Sequence, residues 1–328
     1  ALNYDNKNIS ATLGGLYGQY RGENFGKVIW ALDVYDFDKN QKYYDGNSIK
    51  NDCNVFEKLN YELLRKVNFY LDLQYRYVGY SANGIDDSKM NYDFSYQWNF
   101  FNPKAGILYK IKPQHQIYAS YALGNREPNR DDVLAALASG KTVKPEMMHD
   151  VEAGYKFMNR KFPFSLNCYL MQYKDQLVLT GKLTDVGNPI KENVPQSYRT
   201  GIELNGVIRF FTRDKIADNI SGEGTTGLVK GRNGFSINYS FTYSINKIKS
   251  FDEYIYTYDE NYLPITSLTE IIEHKNTDIS FSPNIIASLE LVAYPIRGLE
   301  ISLMNKAVSK QYLDNTSNEA RKINPFYY

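Results

Sequence analysis

The sequence predicts an all-β protein, an antiparallel transmembrane β-barrel with short turns at one end and long loops at the other. Three observations lead to this fold class. Apolar and polar residues alternate over many stretches of the 328-residue chain, as they do in strands with two unlike faces. Tight and long connections alternate along the chain. Tyrosine is frequent, with 30 residues against 17 Phe and 2 Trp, and it suits surfaces that are partly apolar and partly wet.

The alternation is clearest at 235–246, where Phe235 and Phe241 share one face with Ile and Tyr residues, opposite a face of Ser, Asn and Thr. The same period predicts ten further strands, and another strand starts near Tyr328, so the total is about eleven strands and the start of another. The ten are 9–20, 51–62, 67–79, 102–111, 116–123, 150–157, 162–171, 199–211, 285–294 and 299–307.

Such alternation fits either a soluble sandwich with its apolar face inside or a membrane barrel with its apolar face toward lipid. The connections favour the barrel. Tight turns are predicted at 63–66, 112–114, 159–161 and 295–298, and long loops at 21–50, 81–100, 125–148, 181–198 and 250–278. Periplasmic turns and extracellular loops are sorted in this way. The segment 212–232 breaks the alternation, and 131–139 is a helix candidate inside a loop.

Composition excludes several classes of function. The formal charge of +1 does not indicate a nucleic-acid partner. No apolar run approaches the ~18 residues of a membrane-spanning helix. Cys53 and Cys168 lack metal-site spacing, and two half-buried thiols are favoured over a disulfide. The three histidines form no catalytic motif and no GxSxG is present, so we predict no enzyme, cofactor or metal site.

Five stretches carry a family resemblance. They are 118–132 (YASYALGNREPNRDD), 144–155 with its KPE step, 173–181 (YKDQLVLTG), 188–193 together with SYRTGIE at 197–203, and 311–316 (QYLDNT). With them the chain resembles the C-terminal barrel of TonB-dependent outer-membrane receptors, especially those of Bacteroides-like bacteria.

The resemblance implies a 22-stranded barrel closed by an N-terminal plug, with residues 1–328 forming a C-terminal portion of that barrel and no plug domain in this chain. About eleven strands should not close into the parent barrel, because the diameter grows with strand number. The implied location is the outer membrane of a Gram-negative bacterium. The implied function is uptake of a scarce nutrient (a ferric siderophore, haem or cobalamin) driven by the TonB complex acting through the plug. The implied partners are TonB, outer-membrane lipid and the small nutrient.

Charged residues supply the candidate site. In the segment NREPNRDD, Arg126, Glu127, Arg130, Asp131 and Asp132 either shape the mouth and touch substrate or form a loop held by salt bridges and turns, in which Asp131 or Asp132 caps the helix.

A second set lies on the polar face of the strands, and it either lines a pathway or forms a solvated, mutually paired wall. It comprises Asp150, Glu152, Lys156, Glu203 and Arg209. Three alternatives remain open: a passive porin or adhesion-type barrel, a barrel phospholipase, and a soluble sandwich that binds a ligand.

Overall fold

The computed structural model describes residues 1–30, 32, 41–87, 89–138, 140–183, 189–210, 234–255, 270–296 and 298–328. These residues form strands and one nine-residue helix. In chain order the elements are β1 Leu2–Asp5, β2 Ile9–Lys27, β3 Lys42–Leu63, β4 Val67–Ile85, β5 Asn91–Phe101, β6 Lys104–Lys112, β7 His115–Arg126, α1 Arg130–Ala138, β8 Glu146–Phe157, β9 Phe164–Leu183, β10 Pro189–Phe210, β11 Gly234–Ile255, β12 Glu270–Asp278, β13 Ile285–Ile296, β14 Leu299–Val308, β15 Gln311–Tyr312, β16 Lys322–Ile323 and β17 Phe326–Tyr327.

The strands form one antiparallel wall in the order β1-β2-β3-β4-β6-β7-β8-β9-β10-β11-β13-β14-β17. β5 continues the line of β6 and pairs with the far half of β4. In the same way, β12 continues the line of β13 and pairs with the far half of β11. β15 and β16 form a separate small hairpin. Within the described residues β1 and β17 lie at the two edges of the wall, so the barrel is not closed. The predicted fold class, an antiparallel barrel wall, is confirmed.

The apolar face of the wall is exposed. Val151 and Phe241 keep 49% and 41% of their surface exposed, and Leu204 and Phe235 are intermediate rather than buried. These four side chains do not pack together in a dry interior, as a sandwich core would require. The polar residues of the same strands lie on the opposite, inward face. The wall therefore has the polarity of a membrane barrel.

Several predicted loops are strands in the structure. β2 and β3 extend through most of 21–50, β4 and β5 fill most of 81–100, and β9, β10, β11 and β12 occupy the described parts of 181–198 and much of 250–278. Beyond the bilayer both faces of a strand meet polar surroundings, so the alternation fades while the ladder hydrogen bonds continue. The sequence pattern thus marks the apolar belt and not the full strand. The irregular segment 212–232 lies outside the described residues.

The helix predicted at 131–139 is confirmed as α1, Arg130–Ala138. No helix among the described residues is both long enough and apolar enough to cross a bilayer. Cys53 and Cys168 are free thiols, and only Cys53 is partly buried.

The β4–β5 hairpin reverses its polarity along its length. Near the tight-turn end, the outward Phe69 and Leu71 are exposed. Beyond Arg76 the inward face becomes apolar instead, and Val78 and Trp98 are buried there. An outward apolar face needs lipid, whereas an inward one needs protein against it. The change near Arg76 therefore marks the outer border of the membrane belt.

The β3–β4 turn stores backbone strain. Lys66 N donates to Leu63 O at 3.2 Å, and the two central residues, Leu64 and Arg65, have φ of 54° and 56°. Both lie in the left-handed region, which costs non-glycine residues about 1–2 kcal/mol each.

We expect the double substitution Leu64→Asn with Arg65→Gly to stabilise the full-length protein by about 1–2 kcal/mol, because these residues adopt a type I′ turn readily. The thermal midpoint in detergent should rise. Lys7→Gly is the control, since Lys7 in the β1–β2 turn is not among the residues with positive φ. An equal rise in both variants would contradict the assignment of strain to the β3–β4 turn.

Candidate functional site

The loop that follows β7 folds inward at the end of the barrel wall opposite the tight turns. It forms one side of the opening there, which we call the mouth. Asn129 caps α1: its side-chain oxygen accepts from Asp132 N at 2.8 Å, and its own N donates to Asp132 Oδ2 at 3.1 Å. This reciprocal pair is a capping box. Asp132 takes part as the residue at the third helical position, while Asp131, the other predicted cap, is exposed. The N-cap itself is Asn129.

Helix α1 packs against an inward aromatic surface. Val133 is fully buried and belongs to one cluster with Val78 of β4 and Trp98 of β5. Further aromatic rings of β4 and β5 belong to this cluster or pack against it, and Tyr96 stacks on Trp98 with ring centroids 5.2 Å apart. We call this set the aromatic wall; it comprises Tyr80, Tyr92, Phe94, Tyr96, Trp98 and Phe100. Helix α1 is the protein surface that the inward apolar face of the hairpin requires.

Glu127 ties the start of the loop to the barrel wall. Its carboxylate lies 2.8 Å from Arg76 Nη1 and 2.8 Å from Lys50 Nζ, and its side chain is 9% exposed. Arg76 also pairs with Asp52. Burial by itself raises the pKa of the Glu127 carboxyl, but hydrogen bonds from Arg76 and Lys50 outweigh burial and lower the pKa to about 2. We call Lys50, Asp52, Arg76 and Glu127 the loop clamp.

The other predicted charges of this loop have separate partners. Arg126 Nε lies 2.8 Å from Glu146 Oε2. Arg130 stacks over Tyr92 with 5.4 Å to the ring centroid and donates to its hydroxyl at 2.8 Å. The predicted cluster is therefore dispersed over several anchors. This geometry matches a loop held by salt bridges and turns.

A cavity of about 230 Å³ lies at the mouth between α1, the residues after it, the far ends of β9–β11 and residues 315–316. Two ion pairs border it: Lys141 with Glu192 at 3.0 Å, and Lys191 with Asp132 at 3.4 Å. Asn315 is buried and accepts from Ser280 N at 2.8 Å. The mouth thus combines apolar lining with paired charges of both signs.

A second cavity, of about 300 Å³, lies deeper on the inner wall across β8–β11. Glu152, Glu203 and Arg199 line it. Arg199 Nη1 donates to Asn246 Oδ1 at 3.2 Å and to Ser282 Oγ at 3.0 Å.

The remaining predicted inner charges lie at three places. Asp150 neighbours this cavity on β8, and its Oδ1 is buried without a hydrogen-bond partner among the described residues. Lys156 lies over the Tyr118 ring, with 5.8 Å to the centroid. Arg209 is near the tight-turn end and donates to Arg160 O at 3.1 Å. The structure therefore brings Glu152 and Glu203 together and separates Arg209 from them.

Sequence reasoning missed the clamp partners Lys50 and Arg76, the cavity residue Arg199 and the aromatic wall. The alternation places Arg76 on the polar face, but only the folded wall shows that it meets Glu127. The aromatic wall had a detectable signal, because alternate residues from Tyr92 to Phe100 are aromatic. Among the described residues, no group of three or more His, Cys, Asp or Glu side chains could hold a metal ion.

Comparison with known proteins gives one family and many similar folds. Residues 2–326 match the family described as TonB dependent receptor-like, beta-barrel. No curated protein matches the chain.

Three solved structures illustrate the similarity of fold. The ferric yersiniabactin uptake receptor FyuA from Yersinia pestis is 13% identical with a TM-score of 0.59, and the match covers 99% of this chain and 43% of that one. The siderophore receptor PiuA from Acinetobacter baumannii is 14% identical, with a TM-score of 0.60 and coverage of 99% and 46%. The copper transporter OprC is 12% identical, with a TM-score of 0.64 and coverage of 99% and 45%. The chain spans less than half the length of these three proteins.

Proposed function

Because the chain belongs to the TonB-dependent receptor β-barrel family, which resides in the outer membrane of Gram-negative bacteria, we propose that it is the barrel wall of an uptake receptor. The receptor binds a scarce nutrient at the mouth and passes it inward along the polar inner face of the strands. Energy comes from TonB acting through a plug domain, and no covalent chemistry is required. The family match over residues 2–326 is the observation that carries this proposal.

We propose a metal chelate as the nutrient, of the ferric siderophore, haem or cobalamin class. FyuA is a ferric yersiniabactin uptake receptor, PiuA is a siderophore receptor and OprC is a copper transporter. The inner wall suits a polar ligand of this kind, since Arg199, Glu152 and Glu203 line one cavity together.

The predicted site residues divide into two proposed roles. Arg126, Glu127, Arg130 and Asp131 belong to the loop that shapes the mouth. Glu152 and Glu203 line the pathway at mid-wall, and Arg209 lines it near the tight-turn end.

Growth of a gene-deletion strain tests the proposed function. The strain, complemented with the full-length gene, is supplied with single ferric siderophores, haem or cobalamin as the sole source of iron or of the vitamin. We expect complementation to restore growth on at least one source, and inactivation of TonB to abolish that growth. Uptake that persists without TonB would indicate a passive porin-like barrel instead. Restoration on no chelate would exclude the proposed nutrient class.

A further inference from the structure

One carboxylate interrupts the lipid-facing surface. The outward positions of the described strands, from the aromatic residues near the tight turns to those near the loops, carry apolar, aromatic or small polar side chains. Between these two sets of aromatic residues, Glu57 of β3 is the one Asp, Glu, Lys or Arg at an outward position of the described strands. Lys247 lies at the loop-side border, opposite Tyr198. Its register partners are Leu13 on β2 and Leu73 on β4, and Leu13 is 50% exposed on the same outward face.

Glu57 lies halfway across the apolar belt. Four residues toward the tight turn, Tyr61 pairs with Phe69. Four residues toward the loops, Cys53 lies between Tyr17 and Tyr77. Such aromatic rows mark the two membrane interfaces of a barrel. The Glu57 carboxyl group is therefore equally far from both aromatic rows. The glutamate side chain is too short to extend into either headgroup region.

No partner within the described part of the chain satisfies this carboxyl group, because no residue there makes a hydrogen bond or ion pair with Glu57. The adjacent Lys58 points inward, where its Nζ lies 3.8 Å from Asp72. An ionised carboxylate in hydrocarbon is very costly, and even the neutral acid leaves a donor and an acceptor unsatisfied. Ionisable groups retained at such depth mark contact sites.

We propose that the outward surface of β2 and β3 around Glu57 is an intramembrane dimer interface occupied by a second copy of this chain. A neutral carboxylic acid is self-complementary, since two acids exchange two O–H···O hydrogen bonds. A two-fold axis along the membrane normal brings identical residues together at equal depth. A basic partner side chain fits less well, because an ion pair in hydrocarbon must offset the desolvation of two charges.

The surroundings of Glu57 permit close approach. Its diagonal neighbours on β2 are Ala11 and Gly15, and Cys53 and Val55 follow it along β3. Small residues let two membrane surfaces come near enough for a side-chain hydrogen bond. A second row of small outward residues, Ala119, Ala153 and Cys168, lies on β7–β9, but it carries no carboxyl group.

Cross-linking in intact outer membranes tests the interface. The full-length protein keeps Glu57 and carries Val55→Cys with Cys53→Ser and Cys168→Ser, which removes the two thiols of residues 1–328. Val55 is the next outward residue of β3 and is 52% exposed. Ile202→Cys in the same background is the matched control, since Ile202 faces outward on the distant strand β10 and is 46% exposed. Oxidation should give a disulfide-linked homodimer with Val55→Cys and little with Ile202→Cys. Equal yields, no dimer, or a cross-link to a different protein would overturn the proposal.

A second measurement separates the hydrogen bond from mere proximity. Glu57→Leu suits lipid and should fold, but it lacks the polar pair; Glu57→Gln retains a self-complementary amide. The mass of the native protein, measured after mild detergent extraction, should correspond to a dimer for the natural protein and for Glu57→Gln. For Glu57→Leu it should correspond chiefly to a monomer. Dimers that persist in Glu57→Leu would show that Glu57 does not hold two copies together.

Discussion

Replacing Phe241 with arginine is expected to prevent the barrel from assembling in the outer membrane. Phe241 faces outward near the middle of β11, opposite Leu204 on β10 and Ala287 on β13. A lipid-facing arginine at the bilayer midplane destabilises a barrel by about 2–4 kcal/mol. The lost burial of the ring in lipid adds to this, so the total is comparable with the stability of many folded proteins. The folded, heat-modifiable fraction in outer-membrane preparations measures the effect.

The neighbouring residue gives a matched control. Thr242 faces inward, lies opposite Glu203 on β10 and lines the inner cavity. Thr242→Arg places the same charge one residue away but beside a carboxylate in a polar lumen, so assembly should be retained. A soluble sandwich would also lose stability with Phe241→Arg, because its apolar face is its core. The two variants therefore test the polarity of β11, and the 41% exposure of Phe241 is what separates the barrel wall from a sandwich. Equal loss of assembly in both variants would contradict the lipid-facing orientation of β11.

The sequence predicted the apolar belt well because the bilayer constrains it directly. Ile237 and Tyr243 must meet acyl chains while Asn238 and Thr242 must not, so the period of two is visible in one strand without knowledge of its neighbours. Tight turns and helix α1 are equally local. The extensions of β2, β3, β9 and β10 were missed, because strands outside the bilayer are held by backbone pairing and lose the apolar signal.

The mouth could not be predicted because its contacts are not local. Glu127 and Arg76 are 51 residues apart in the chain, and β6 separates β7 from β4 in the wall. Their contact depends on how far the loop folds inward over the aromatic wall. The sequence identified Glu127 as a charged loop residue, but two assignments were open. The 9% exposure of its side chain and its paired oxygens favour an anchoring role.

We expect Glu127→Ala to loosen the loop without unfolding the barrel. The change leaves Arg76 with Asp52 alone and removes a charge-assisted pair, which is worth about 2 kcal/mol. That free energy corresponds to about a 30-fold rise in the open population of the loop. Hydrogen exchange of the amides of α1 measures this, including Val133 N, which donates to Asn129 O at 3.1 Å. Exchange in the belt strands should not change.

Glu192→Ala is the control, because the Lys141–Glu192 pair is about one-third exposed and exposed pairs contribute little. A rise in α1 exchange as large as that of Glu127→Ala would argue against the loop clamp.

The pH dependence of α1 exchange identifies the group responsible. The pKa of Glu127 lies at about 2 in the folded protein, against an ordinary value of 4.5. Protonation therefore destabilises the closed loop: the contribution is complete above about pH 4.5 and is lost as the pH falls toward 2. Glu127→Gln, which cannot titrate, should show no such dependence in this window. If Glu127→Gln loosens with falling pH as the natural protein does, a different group controls the loop.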